Sequence, residues 1–268
     1  QMMFLKIIAA VDPDQNPKDL EAFLDALNDK VEIGQDVIVL PGMVADALEA
    51  ASPFENVHDK LLIDATSIVA TDPRSPDEPL EGSYNQPTPT WRQQGSASAP
   101  FEKVQDVEAM AGVRQARMLR NNMLVVSTSI EGTPSPRTGQ HEGDDAMESE
   151  RIENILRLRD AIWALDAERN LRWLFITNDD LDMTHEKARR RLLWQLTSRF
   201  DVGRGLTFDE GRNRLCWDAT TPIPSEEHGV RRWPAVTLHD EETLAKVAAH
   251  PELSKYEWPP HLSFGGPE

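Results

Sequence analysis

Two short stretches of the sequence, Lys60-Leu-Leu-Ile-Asp-Ala-Thr66 and Leu215-Cys-Trp-Asp-Ala-Thr220, decide the fold. Each is an apolar run that ends in the same Asp-Ala-Thr triplet. A second matching pair precedes them, Leu24-x-x-Leu27-x-x-Lys30-x-x-x-Gly34 and Leu193-x-x-Leu196-x-x-Arg199-x-x-x-Gly203. The distance along the chain between the two copies is far longer than the repeat length of a solenoid protein. The sequence therefore predicts an internal duplication that gives two related lobes.

The pattern around the first triplet is that of alternating strands and helices. Phe4–Val11 and Val37–Leu40 are short, apolar and rich in β-branched residues, which predicts strands. Between them, Asn16-Pro17 is typical of a helix start. An apolar stripe of one amphipathic helix follows it: Leu20, Phe23, Leu24, Leu27 and Val31.

The second lobe repeats this order. Strands are predicted at Leu171–Thr177 and Arg214–Asp218, with a helix between them whose apolar stripe ends at Phe200. Helical patterns at 103–119 and 149–168 and a strand at Leu124–Ser129 precede it. The predicted fold class is therefore α/β, with mixed β-sheets covered by helices.

Two stretches of low order divide the chain. Residues 70–100 are rich in Pro, Ser, Gln and Asp, and residues 131–150 combine Gly and Pro with an acidic run. Both patterns predict loops, the second one acidic and flexible. The predicted domains are a first lobe at 1–120 and a second lobe at 121–268.

The composition excludes several classes of protein. Lys and Arg total 28 and Asp and Glu total 46 among 268 residues, so the net charge is −18. Such an acidic protein is a poor binder of nucleic acid or anionic membranes, which attract basic residues. A single cysteine, Cys216, excludes an internal disulfide and a cysteine-cluster metal site. No apolar run is long enough to span a bilayer, and we expect a soluble, cytoplasmic protein.

The acidic segments that follow the first strand of each lobe have two interpretations. Asp12, Asp14, Asp179 and Asp180 could surround a divalent metal in a site between the lobes. Neither segment completes a calcium loop, because Pro17 and Met183 stand where glycine is required. The alternative is that these carboxylates stabilise the N-terminus of the following helix.

The Asp-Ala-Thr triplets also have two interpretations. Asp64 and Asp218 could act as an acid or base, with Thr66 and Thr220 beside them. The alternative is a turn in which the aspartate side chain accepts hydrogen bonds from nearby backbone N–H groups. Gly-rich phosphate-binding loops and nucleophile elbows are absent from the sequence, so no standard phosphate site or serine hydrolase is predicted.

The combination of these motifs resembles the C-terminal domain of the UbiD family. The residues that carry the resemblance in the first lobe are Val11-Asp-Pro-Asp-Gln-Asn16 and the triplet segment 60–66. In the second lobe they are Asn178-Asp-Asp-Leu-Asp182, the helix segment 193–200 and the triplet segment 217–220. The chain is too short to hold the family's flavin-binding region as well as two such lobes.

UbiD-family proteins are prenylated-FMN-dependent decarboxylases and carboxylases of aromatic and unsaturated acids. The resemblance implies an accessory or split subunit that contributes to assembly and to completing an active site. A larger UbiD-like catalytic subunit would then carry the prenylated FMN and its divalent metal, with a homo-oligomer as a further form of assembly. The alternatives are a catalytically empty scaffold and a self-contained metal-dependent enzyme with its site between the lobes.

Overall fold

The structure is a computed structural model of the chain. It describes residues 5–16, 18–45, 51–54, 56–67, 99–129, 144–178 and 188–231, together with 242, 245–246 and 249–250. Two of the candidate metal-binding residues, Asp179 and Asp180, lie outside these residues. None of the helices in this part of the chain has both the length and the apolar character needed to cross a bilayer.

The first unit, called unit A, is a three-stranded mixed sheet with two helices. Its strand order is β1-β3-β2; β1 is parallel to β3, and β2 is antiparallel to β3. The elements in chain order are β1 Ile7–Val11, α1 Leu20–Lys30, α2 Ile33–Asp36, β2 Val37–Val44 and β3 Val57–Ala65.

The second unit, called unit B, is a five-stranded mixed sheet with its own helices. Its order is β4-β5-β6-β8-β7, with parallel pairing from β5 through β6 to β8 and antiparallel pairing at both edges. The elements are α3 Val104–Glu108, β4 Val113–Arg120, β5 Met123–Thr128, α4 Asp145–Ala164, β6 Trp173–Asn178, α5 Ala188–Ser198, α6 Val202–Gly205, β7 Leu206–Phe208 and β8 Leu215–Asp218.

The last three strands of unit B have the same arrangement as the three strands of unit A. In both, a strand is followed by a long helix, a four-residue helix and an antiparallel strand pair, and the last strand lies in the centre. The registers Ala10↔Asp64 and Ile176↔Asp218 place the two aspartates at equivalent positions. The α/β class with two mixed sheets is confirmed; that the units arose by duplication stays a prediction.

One apolar core lies between the two units. Its buried members include Leu61 and Ile63 from β3, and Trp173 and Phe175 from β6. Helix α1 adds Leu27, and other members come from α5. A separate core covers the opposite face of the unit B sheet, beneath α3 and α4. Unit B is therefore covered on both faces, as expected for a sheet with a parallel centre.

The predicted helix at 103–119 is wrong over most of its length. The helix α3 ends at Glu108, and the chain then forms β4, which pairs antiparallel with β5. Gly112 lies between them with a φ of +80°, a backbone conformation that breaks a helix and suits glycine. Tertiary pairing with a fully buried strand outweighs the local helical pattern.

The predicted start of the first helix is also corrected. Asp19, not Asn16, is the N-cap, and its side chain accepts hydrogen bonds from the backbone N–H groups of Glu21 and Ala22. Asn16 instead accepts a bond from the Lys18 N–H, which closes the preceding turn. The loop predicted at 131–150 is corrected at its C-terminal end. There, α4 begins at Asp145 with Asp144 as its N-cap, so residues 145–150 are helical.

Close packing of α6 on β8 gives the first testable prediction. A Cβ on Gly205 would lie 2.7 Å from the Asp218 carbonyl oxygen and 2.8 Å from the Phe200 ring. We expect Gly205→Ala to lower the free energy of unfolding by about 1–3 kcal/mol, because overpacking forces the backbone apart. The measurement is urea unfolding. Gly42→Asn is the control, because its site is open and asparagine tolerates the left-handed φ; equal losses in both variants would contradict the packing explanation.

Candidate functional site

The two Asp-Ala-Thr turns lie at the carboxyl ends of the central strands β3 and β8. In unit A, Asp64 Oδ1 accepts hydrogen bonds from the Thr66 N–H at 3.0 Å and the Thr66 hydroxyl at 2.7 Å. In unit B, Asp218 Oδ1 accepts the same pair from Thr220 at 2.9 Å and 2.6 Å. The turn interpretation is thus confirmed for both triplets. In each turn, the Oδ1 atom of the aspartate stabilises the turn by accepting these two hydrogen bonds.

A side chain after β1 binds the end of the unit A turn. Asp12 Oδ1 accepts a hydrogen bond from the Ser67 N–H at 2.6 Å, and Asp12 Oδ2 lies 2.5 Å from Lys30 Nζ. Burial opposes ionisation of Asp12, but the hydrogen bonds from Lys30 and Ser67 outweigh it and lower its pKa. Asp12 therefore joins β1, the end of α1 and the triplet turn.

Unit B repeats this contact with an amide in place of the carboxylate. Asn178 Oδ1 accepts hydrogen bonds from the Thr221 N–H at 2.8 Å and from Arg199 Nη1 at 3.0 Å. The register makes Asn178 the equivalent of Asp12, and the helix motif makes Arg199 the equivalent of Lys30. The same three-way junction is therefore present at both turns.

A buried cluster of charges distinguishes the unit B turn. Arg151 on α4 makes a bidentate ion pair with Glu148, with both N···O distances 2.8 Å. Its remaining terminal nitrogen lies 2.9 Å from Asp218 Oδ2 and 2.6 Å from the Thr220 hydroxyl. Glu148 also accepts the Ile223 N–H at 2.8 Å. Arg151, Glu148, Asp218 and Thr220 are called the Arg151 cluster below.

In the Arg151 cluster, one buried guanidinium is shared between two carboxylates, those of Glu148 and Asp218. The Glu148 side chain is fully buried, and that of Arg151 is 5% exposed. Burial by itself favours a neutral arginine, but the charge of Asp218 and the bonds to Glu148 outweigh it and raise the pKa of Arg151. The guanidinium stays charged, and it fixes the second oxygen of Asp218. A cavity of about 20 Å³ beside the cluster has room for about one water molecule.

A larger cleft lies beside the unit A turn. Its volume is about 760 Å³, within the range of small-molecule sites. Asp12 and Asp14 line it, together with Asp25, Asp29 and Lys30. Asp12 is paired with Lys30 and Asp25 with Arg120, so the acidic character of the cleft comes from Asp14 and Asp29.

The structure brings the predicted site residues together only within each unit. Asp64 and Thr66 form one turn, and Asp218 and Thr220 form the other. Asp12 and Asp14 lie at the unit A cleft, whereas Asp179 and Asp180 fall outside the described residues. Across the described ranges, no group of three or more His, Cys, Asp or Glu side chains is placed to hold a metal ion. Those ranges therefore do not offer a donor set for the metal that the resemblance implies.

Two other observations bear on the chemistry. Sequence reasoning missed Glu148 and Arg151, although the Glu-x-x-Arg spacing places them on one helix face.

Cys216 is buried in β8, and burial raises the pKa of its thiol. This environment is that of a small core residue rather than of a reactive thiol.

Comparison with known proteins shows to which protein family the sequence of unit A is similar. Residues 1–65 match the family model of the 3-octaprenyl-4-hydroxybenzoate carboxy-lyase C-terminal domain of UbiD proteins. A phenolic acid decarboxylase of Escherichia coli O157:H7 is 37% identical over 84 residues, which are 31% of this chain and 16% of that protein. The sequence resemblance of the first lobe to the UbiD C-terminal domain is thus confirmed.

Two solved structures match a segment of similar length. One is the UbiD-class enzyme HmfF from Pelotomaculum thermopropionicum in complex with FMN, 28% identical, covering 29% of this chain and 17% of that one, with a TM-score of 0.24. The other is the vanillic acid decarboxylase ShVdcCD of Sedimentibacter hydroxybenzoicus, 30% identical, covering 31% and 16%, with a TM-score of 0.24. The chain thus spans about one sixth of the length of these relatives. With so low a TM-score, the relationship rests on the sequence match.

Removal of Arg151 tests the cluster. We expect Arg151→Met to lower the free energy of unfolding by about 3–5 kcal/mol, because Glu148 would be left charged and buried without its ion-pair partner. The double variant Glu148→Gln/Arg151→Met should recover part of this loss. Urea unfolding measures both. Arg157→Met, on an exposed pair with Glu153, is the control and should change little; a similarly small effect for Arg151→Met would contradict the cluster's structural role.

The lowered pKa of Asp12 predicts a pH dependence. The ionised carboxylate stabilises the fold fully above its ordinary pKa of about 3.9, and this stabilisation disappears as the pH falls through the lower folded-state pKa. Asp12→Asn keeps the acceptor for Ser67 and reproduces the equivalent Asn178 of unit B. We expect the variant to be less stable than wild type near pH 7, and we expect this difference to shrink as the pH falls below about 3.9, measured by urea unfolding. A difference that stays constant over this range would contradict the ion pair with Lys30.

Proposed function

We propose that this chain is an accessory subunit of a UbiD-type, prenylated-FMN-dependent decarboxylase or carboxylase that acts on aromatic or unsaturated acids. Its main role is assembly and completion of the active site of a larger catalytic chain. The observation that carries the proposal is the match of residues 1–65 to the UbiD C-terminal domain. Two of the matched relatives are named as decarboxylases of phenolic and vanillic acids, which supports an aromatic acid as substrate.

The geometry of the unit B turn supports a structural role rather than a catalytic one for its aspartate. One oxygen of Asp218 is used within its own turn, and the other is held by Arg151. A catalytic acid or base must instead present an oxygen to the substrate. Asp218 is therefore given a structural role, and proton transfer is assigned to the partner chain.

The prenylated FMN and its metal are also assigned to the partner. When bound there, the flavin would supply the covalent chemistry of decarboxylation. The described residues of this chain offer neither a metal donor set nor a Gly-rich phosphate-binding loop. Instead, this chain would contribute the surfaces that surround the two turns.

Affinity purification of the tagged chain from its source cell tests this proposal. We expect a larger chain with a flavin absorbance spectrum to co-purify, and mass spectrometry identifies that chain. Its release of CO₂ from vanillic acid should fall at least tenfold when the gene for the present chain is deleted, and should return when purified chain is added back. A flavin-bearing partner whose activity is unchanged by the deletion would indicate the scaffold alternative, and a colourless chain without a partner would refute the proposal.

A further inference from the structure

The free edge of the unit A sheet corresponds to an occupied edge in unit B. Strands β1-β3-β2 are equivalent to β6-β8-β7, so the outer edge of β1 is equivalent to the edge of β6 that faces β5. In unit B, β5 fills this edge as a parallel strand, over the six pairs from Met123↔Trp173 to Thr128↔Asn178. Among the described residues, β1 pairs with β3 alone.

The hydrogen-bonding groups on this edge can be assigned to residues. The Lys6 carbonyl accepts a hydrogen bond from the Leu61 N–H at 2.9 Å, so Lys6 faces β3. In a parallel ladder, alternate residues direct both backbone groups to the same neighbour. Ile8 and Ala10 therefore face β3, whereas the N–H and C=O groups of Ile7, Ala9 and Val11 point away from it.

Such an edge is prone to pairing with another strand. Natural proteins protect edge strands with lysine, proline, inward-pointing charges or bulges. The strand β1 reads Ile-Ile-Ala-Ala-Val, with none of these residues, and its register with β3 is regular. The opposite edge strand, β2, carries Pro41 and an irregularity between Leu40 and Met43. The free edge at β1 is thus the unprotected one of the two.

We propose that β1 is a strand-addition site that receives an apolar parallel strand from the larger catalytic chain, in the position that β5 occupies beside β6. The proposal rests on the accessory-subunit function above. A second copy of this chain is disfavoured as the occupant, because each copy carries a net charge of −18 and the copies repel each other. Strand addition supplies backbone hydrogen bonds for affinity, and the side chains of Ile7, Ala9 and Val11 already contact the shared core.

Amide hydrogen exchange at single-residue resolution tests the proposal. It is measured on three samples: the chain alone, the chain in its complex with the flavin-bearing chain, and the chain with a probe peptide. The probe has the sequence of residues 121–129, which contains β5. For the chain alone, we expect fast exchange at Ile7, Ala9 and Val11 and slow exchange at Ile8 and Ala10. The three outward amides should become at least tenfold slower in the complex and with the peptide at millimolar concentration.

A proline substitution separates edge pairing from fold stability. Ala9→Pro removes an N–H that points away from β3, so the ladder to β3 is retained. We expect this variant to keep its melting temperature and to lose at least tenfold in affinity for the flavin-bearing chain. Ala9→Ser keeps the N–H and should bind as wild type does. If Ala9→Pro disturbs the fold, the exchange experiment on the wild-type chain decides.

Failure of this inference is distinguishable from failure of the proposed function. A flavin-bearing complex in which Ile7, Ala9 and Val11 stay unprotected would overturn strand addition and leave the accessory function standing. Slow exchange at these amides in the isolated chain would overturn strand addition as well. If the exchange rates then depend on protein concentration, a second copy of the chain covers the edge; if they do not, another segment of the same chain covers it. If no flavin-bearing chain is recovered, the proposed function fails, and the peptide then decides whether the edge accepts a parallel strand.

Discussion

The structure depends on an apolar core that neither unit could close alone. The Phe200 ring stacks on Trp217 with centroids 4.1 Å apart, and Trp217 lies near Phe175, all in unit B. Residues of β3 and α1 from unit A complete this core. Burial of apolar surface is the main favourable term in folding, at about 25 cal/mol per Å². Because the two units cover each other's apolar faces, we infer that each unit requires the other for its stability.

Polar contacts at the borders of the core are reciprocal between the units. Gly34 of α2 approaches the Arg212 carbonyl, at 3.0 Å from the position of a Cβ, and the equivalent Gly203 of α6 approaches Asp59 of β3. Lys6 of unit A donates to the Phe200 carbonyl of unit B. Each of the two equivalent short helices thus lies close to the other unit, α2 against a backbone carbonyl and α6 against a carboxylate. The units differ at their turns: the Arg151 cluster covers the one in unit B, and an open acidic cleft lies beside the one in unit A.

Much of this arrangement is predictable from local sequence, and the rest depends on contacts across the chain. The Asp-Ala-Thr turns could be predicted because their hydrogen bonds join residues two positions apart. The strand β4 could not, because its formation depends on pairing with β5 and outweighs a helical pattern. Arg151 could be placed on a helix, but its contact with Asp218 spans 67 positions in sequence. Likewise, the cleft beside Asp12 depends on how α1 lies across the end of β1, which no local pattern specifies.

Differential scanning calorimetry of the chain tests most directly whether the two units close one core. A shared core predicts a single cooperative transition, for which the calorimetric and van't Hoff enthalpies agree. Arg151→Met, in unit B, and Asp12→Asn, in unit A, should each shift this whole transition to lower temperature near pH 7. Two separate transitions, each displaced by the variant in one unit alone, would contradict a shared core and indicate two independently stable units.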